Sequence, residues 1–183
     1  MSYFSDPVVE FESLHSLPSS FNNIETIGVD LGCGRKPRNL YKCDIFYGID
    51  IISDVANVKY CHLGQETLPF EDSSVHAITA YDVLEHIPRT QNDNKNPFIF
   101  LMNEIYRVLK PGGVFLSLTP VYPYPASFQD PTHVNFITPE TFVKYFSKDK
   151  YEVAKDYGIK CDFIVKEQRL WGQHLLCILN KPG

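Results

Sequence analysis

The sequence predicts a three-layer, doubly wound α/β domain with a sheet of about seven strands, mostly parallel, ending in an antiparallel C-terminal strand. Three observations lead there. Short β-rich runs alternate with helical or turn segments over residues 26–119, the rhythm of parallel strands joined by crossovers. Two apolar runs at 159–165 and 170–179 close the chain as a tight hairpin. The 183 residues suffice for one full core and are too few for two.

The first strand is 26–31, stopped by Gly32-Cys33-Gly34, a turn that glycine makes without steric penalty. A second strand at 46–51 follows a short connection marked by Pro37, and 58–63 gives a third. The fourth, 75–80, is entered through the turn-forming Glu71-Asp72-Ser73-Ser74. After a polar loop at 88–96 comes a helix over 97–109, with Phe98, Leu101, Ile105, Val108 and Leu109 on one stripe and Pro97 in the first turn. Lys110-Pro111-Gly112-Gly113 ends that helix and leads to a strand at 114–119. Thr138 caps a further helix, with Pro139 at its first position and 141–146 in its body. Residues 1–25 read as an N-terminal arm and 26–183 as a single domain.

Only residues 35–47 separate the glycine turn from the second strand, and only 52–57 separate Asp50 from the third. Neither gap holds a long helix. Helical cover on that side is therefore expected to be thin, which predicts self-association as a homodimer.

Composition narrows the function classes. The net charge of -5 is the wrong sign for a protein that grips nucleic acid through phosphates. The cysteines are odd in number, with no C-x-x-C pair, and fit reduced, buried thiols. The start of the chain has no basic, apolar leader, and no apolar run approaches the roughly 20 residues that span a membrane. The expected address is cytoplasmic, with no membrane or nucleic-acid partner.

Open α/β sheets bind ligands beyond the carboxyl ends of their strands, where strand order reverses. Gly32 and Gly34 let backbone approach a ligand there. Asp50, 18 residues past Gly32 at the end of the second strand, is placed to accept hydrogen bonds from a ribose diol. Asp30 is placed to balance an ammonium, directly or through water. A dinucleotide fingerprint is excluded because Pro37 stands where the third glycine belongs, and no Walker run exists.

Val29-Asp30-Leu31-Gly32-Cys33-Gly34 followed by Gly48-Ile49-Asp50 resembles the class I, Rossmann-like S-adenosylmethionine-dependent methyltransferases. Leu68-Pro69-Phe70-Glu71-Asp72-Ser73-Ser74, Asp82-Val83-Leu84-Glu85-His86-Ile87 and the block from Asn103 to Gly113 recur in that family in this order. The resemblance runs from about residue 27 to about residue 120. It implies S-adenosylmethionine as cofactor, with Asp30, Gly32, Cys33 and Gly34 at its methionine end and Asp50 with Ile51 at the ribose. It also implies an adenine contact in the segment reaching Gln65 and Glu66, and a pocket floor of Ala80, Tyr81 and Asp82 under the sulfonium. The acid often found near the adenine amino group aligns here with His62 and Gly64, a departure from the pattern.

For the acceptor, His133 is the first candidate general base, because an imidazole titrates near neutrality, and Asp130 could orient it. Asp130 and His133 could equally cap a loop. Tyr122, Tyr124 and His86 are candidate substrate contacts. A metal set of Glu85, His86, Asp130 and His133 lacks any recognised ligand spacing, so no metal is expected. Three readings stay open: transfer to a small-molecule or glycan-type acceptor, an RNA or protein methyltransferase needing a partner, and a catalytically silent cofactor-binding module.

Overall fold

The computed structural model describes residues 16–52, 54–90 and 96–183; residues 1–15 of the expected arm lie outside the described residues. The strands are β1 (Ile27–Leu31), β2 (Ile45–Asp50), β3 (Val58–Tyr60), β4 (Val75–Tyr81), β5 (Leu109–Pro120), β6 (Ile164–Trp171) and β7 (His174–Asn180). They form one sheet in the order β3-β2-β1-β4-β5-β7-β6. Pairing is parallel from β3 through β5, and β7 runs antiparallel to both β5 and β6. Strand order reverses between β1 and β4, as the doubly wound reading requires.

Helix α1 (Pro97–Val108) starts where proline and a cap dictate: the Asn96 side chain accepts from the Ile99 N–H at 3.0 Å. Such a cap is worth about 1 kcal/mol. The apolar stripe of α1, Phe98, Leu101, Met102 and Ile105, is buried against Val29, Leu31, Ile78 and Ala80 of the sheet. On the other face Leu40, Tyr41 and Cys43 cover Ala77, Val114, Leu116 and Ile178. Among the described residues that cover is irregular chain. It is pinned by Asp44, whose Oδ2 accepts from both the N–H and the Oγ1 of Thr26 at 2.8 Å.

Several boundaries differ from expectation. Helix α1 stops at Val108 and β5 begins at the next residue, taking in Lys110-Pro111-Gly112-Gly113. Leu109 pairs with Val75, and a register shift before Ala77 absorbs the extra length. Lys181 completes the joint: it exchanges main-chain hydrogen bonds with Gly112 and Gly113, and its Nζ donates to Leu109 O at 2.8 Å. Strand β3 ends at Tyr60, short of the predicted 63. The helix capped by Thr138 is a single α-turn, α2 (Pro139–Thr141), continued by a π-helical turn at Phe142–Phe146. Strand β6 spans Ile164–Trp171, so the hairpin turns at Gly172, with φ +58°, and residues 166–169 are strand instead of connection.

The recurring blocks Leu68–Ser74 and Asn103–Gly113 turn out to hold each other. The Arg107 guanidinium donates to Leu68 O, Phe70 O and Asp72 Oδ1, and pairs with Glu104 at 2.6 Å. Glu104 in turn accepts from the Leu68 N–H at 2.9 Å. All five cysteines are free, and no described helix is long and apolar enough to cross a membrane.

Candidate cofactor cleft and acceptor face

β1 ends in a turn set by two left-handed glycines, Gly32 (φ +62°) and Gly34 (φ +57°). A Cβ at Gly32 would stand 2.4 Å from Val83 Cγ2, so the turns after β1 and β4 touch there. A Cβ at Gly34 would meet nothing within 4 Å. Bare backbone therefore faces open space at that point. Between them, Cys33 tucks its Sγ where a Cβ at Gly48 would lie. Burial, with Asp30 and Asp50 nearby, pushes its thiol up to about 11, which makes it a packing residue and no nucleophile at neutral pH.

Asp50 closes β2. Its Oδ2 accepts from the Gly34 N–H at 2.8 Å and its Oδ1 from the Ile52 N–H at 3.1 Å. A carboxylate has about four lone-pair sites, so each oxygen keeps one for a ribose hydroxyl. Beside it Ile51 is 62% exposed, an apolar surface with no partner in the core. Asp30 is buried, with Thr79 Oγ1 donating to Oδ1 at 2.7 Å and the Arg38 N–H to Oδ2 at 2.8 Å. Burial pushes its carboxyl up to about 6 against those two bonds. At 1% exposure Asp30 has almost no surface of its own at the cleft. Open backbone beside an acid with free lone pairs and a buried carboxylate fits S-adenosylmethionine.

Gln65 and Glu66 lie in an exposed turn where both amides donate to His62 O, and Glu66 Oε2 accepts the His62 N–H at 2.7 Å. Tyr81 is buried beneath the Arg38 guanidinium, 4.8 Å from its ring centroid. Asp82 adopts φ +49°, donates its N–H to Leu118 O, and sets its carboxylate 3.1 Å from His174 Nε2.

The candidate acceptor face comprises a 3-10 turn at Leu84–His86 and the chain after β5. Backbone bonds lock the two together: the N–H groups of Val134 and Asn135 both donate to Glu85 O at 2.9 Å, and Asn135 Nδ2 donates to Leu84 O at 2.9 Å. His133 is thereby held against Glu85, Nε2 to Oε1 3.9 Å, and edge-on to His86 with ring centroids 4.8 Å apart. Asp130, expected to orient His133, instead accepts hydrogen bonds from the Thr132 N–H and Oγ1, and these hold its carboxyl below the usual range. Ser127 O is the group 3.2 Å from His133 Nδ1. Tyr122 is exposed and Tyr124 half-buried. Tyr122, Phe128 and Phe136 form an exposed aromatic run with centroids 6.0 and 4.9 Å apart. Sequence reasoning passed over Phe128, Phe136 and His174, none of which lies in a periodic pattern. It weighed Glu85 only as one member of a metal set with His86, Asp130 and His133, and set that aside for want of a recognised spacing.

Residues 29–117 match the model of a family described as a methyltransferase domain. Demethylmenaquinone methyltransferase of Staphylococcus saprophyticus is 31% identical over 124 residues, covering 66% of this chain and 49% of that protein. The chain thus spans about half the length of that curated relative. Among solved structures, a S-adenosylmethionine-dependent methyltransferase from Methanosarcina mazei superposes with a TM-score of 0.55 at 17% identity, over 92% of this chain and 99% of that one. Geranyl diphosphate C-methyltransferase from Streptomyces coelicolor, solved with Mg2+, geranyl diphosphate and S-adenosyl-L-homocysteine, gives 0.56 at 13% identity, over 85% and 72%. A chain of the Haloferax volcanii complex with the Trm112 methyltransferase activator gives 0.61 at 16%, over 96% and 88%. These structural likenesses establish the fold. The matched sequence block spans the glycine turn, Asp50 and the α1–β5 joint, and residues 29–117 are thereby a methyltransferase domain of the class I S-adenosylmethionine-dependent type, whose cofactor is S-adenosylmethionine.

Proposed function

We propose that residues 26–183 form one methyltransferase domain, with 1–25 as an arm, that transfers a methyl group to oxygen or nitrogen of a small-molecule or glycan-type acceptor in the cytoplasm. The observation that carries this reading is the unobstructed Gly34 backbone beside the carboxylate of Asp50. Gly32, Cys33 and Gly34 line the methionine end, Asp30 balances its ammonium through water, and Asp50 takes the ribose diol. Ile51, Gln65 and Glu66 border the adenine, with Tyr81 and Asp82 beneath the sulfonium.

The reaction is an in-line displacement, so the protein chiefly aligns the partners and removes a proton. The acceptor-to-methyl bond forms as the methyl–sulfur bond breaks, and S-adenosylhomocysteine leaves. His133 suits the proton: its Nδ1 faces a carbonyl and so carries the hydrogen, leaving the Nε2 lone pair free. Tyr122, Tyr124 and His86 contact the acceptor. The small-molecule acceptor in the name of the Staphylococcus relative supports a small substrate here. The exposed aromatic run and the activator-bound Haloferax neighbour favour a second reading, a chain that works with a partner subunit on RNA or protein. The helix-free cover that Leu40 and Tyr41 give that face of the sheet supports self-association, and a monomeric mass at high concentration would remove that element.

The test is calorimetry with S-adenosylhomocysteine, followed by a methyl-transfer screen over sugar, small-molecule and RNA pools. Cofactor heat with no transfer to any pool leaves a silent binding module; no heat ends the reading. With a true acceptor, His133→Ala lowers turnover while cofactor affinity stays constant.

A further inference from the structure

Glu85 is chemically unaccounted for by methyl transfer. Its side chain is 2% exposed, and neither carboxylate oxygen accepts a hydrogen bond. A bare carboxylate in such a place is costly unless a proton or a cation neutralises it. Two imidazoles stand against it, and one donor atom from each of Glu85, His86 and His133 lies within 4.8 Å of the other two. We propose that these three side chains bind a single divalent transition-metal ion of the zinc type, with its remaining positions open toward solvent.

The hydrogen-bond pattern prepares both rings as ligands. Thr132 Oγ1 gives its one proton to the ionised Asp130 at 2.7 Å, so His86 Nδ1 must be the donor in its 3.0 Å pair with that hydroxyl. The neighbouring Thr132 O, 3.3 Å from the same nitrogen, can only accept and agrees. His133 Nδ1 likewise donates to Ser127 O. Both rings thus keep the lone pair on Nε2. Nδ1 fixed by oxygen acceptors, one of them backed by a carboxylate, is the outer support that metal-bound histidines have. In this arrangement Asp130 serves His86 through Thr132.

The backbone holds the ligands in place before any ion arrives, because Glu85 O already accepts from Val134 and Asn135. Zinc ligands at about 2.0–2.2 Å in a tetrahedron stand roughly 3.4 Å apart. The 3.9 Å Glu85–His133 pair therefore needs only a small inward movement, and half-buried His86 has room for a larger one. Two imidazoles and one carboxylate suit zinc, cobalt or iron, and not magnesium or calcium, which take oxygen ligands.

The site shares His133 and His86 with the methyl-transfer reading, and its use in catalysis rests on that reading, whereas metal binding itself does not. An ion on His133 Nε2 prevents that nitrogen from taking a proton. The ion instead acidifies an acceptor hydroxyl at an open position, whose proton leaves to solvent. The expectation of no metal, drawn from sequence spacing, is what this inference revises.

The experiment uses the full chain after dialysis against a chelator. Cobalt(II) is titrated while visible absorption is followed, with zinc and magnesium as competitors. One cobalt per chain in a tetrahedral or five-coordinate spectrum, displaced by zinc and not by magnesium, is expected. Glu85→Gln and His133→Ala should each weaken binding at least tenfold, and Asp130→Asn by a smaller factor, while circular dichroism and S-adenosylhomocysteine binding are unchanged. Wild-type protein that binds the cofactor product but no cobalt overturns the metal site and leaves the methyltransferase reading intact. Cobalt binding that survives both Glu85→Gln and His133→Ala, or that magnesium abolishes, overturns it as well. Cobalt binding without cofactor binding counts against the methyltransferase reading alone.

Discussion

The main-chain N–H of Gly34 donates to Oδ2 of Asp50 at 2.8 Å, joining the turn after β1 to the last residue of β2. One carboxylate thus shapes the turn and, under the proposed function, takes the ribose diol. Asp50→Ala should weaken S-adenosylhomocysteine by about 1–3 kcal/mol, roughly 5- to 150-fold, from the unmatched polar groups it leaves. Asp50→Asn retains an acceptor for Gly34 and should fall between the two. Calorimetry on both variants checks the order.

The two glycines should fail differently. Gly32→Ala drives a Cβ to 2.4 Å from Val83 as well as straining φ, and should lower unfolding stability by more than the about 1–2 kcal/mol that left-handed strain alone entails. Gly34→Ala meets no protein atom. It should lose only that strain energy in chemical denaturation, yet weaken cofactor binding by filling the open space. Equal stability losses would refute the asymmetry.

Asp30 links pH to both stability and binding. Its folded carboxyl titrates near 6, above its ordinary 3.8, because burial outweighs Thr79, the Arg38 amide and the Arg38 charge. Stability from this group is present in full below about 3.8 and lost as pH rises through 6, at up to about 1.4 kcal/mol per unit. Asp30→Asn should flatten that slope between pH 4 and 6 in urea titrations. A cationic methionine tail needs Asp30 ionised, so S-adenosylhomocysteine affinity should fall as pH drops below about 6, and the variant should not show it.

Arg107 ties the 68–72 segment to α1. Arg107→Ala leaves the buried Glu104 carboxylate unpaired and should destabilise by about 3–5 kcal/mol. Arg107→Lys should recover little, since an ammonium cannot replace a fork that reaches four partners. Thermal melts of the two variants test this.

What the sequence disclosed follows the reach of its signals. Val29 to Gly34 and Gly48 to Asp50 are local patterns, β-rich runs ending at glycine or an acid, and they marked β1, β2 and the candidate cleft at their ends. Leu109 to Gly113 misled because proline and glycine are local stop signals, whereas Val75 and Lys181 supply distant partners that make the segment a strand. Lys166 to Arg169 looked like a connection because an edge strand, half-exposed, carries charge. The closeness of Glu85 and His133 had no local signature at all. They are 48 residues apart and meet through two backbone bonds to one carbonyl.

The direct passage from Val108 to Leu109 leaves no loop between helix and strand, and the only slack beside it is the irregular pairing between Leu109 and Val114. A residue inserted there would rotate the helix against the sheet unless that irregularity took it up, because a one-residue slip of β5 proper turns every side chain over. The stretches after β4 and β5 that carry His86 and His133 lie at the opposite rim. Under the proposed function, grafting new acceptor preferences onto this chain is a matter of rewriting those two stretches, with the glycine turn and Asp50 left untouched.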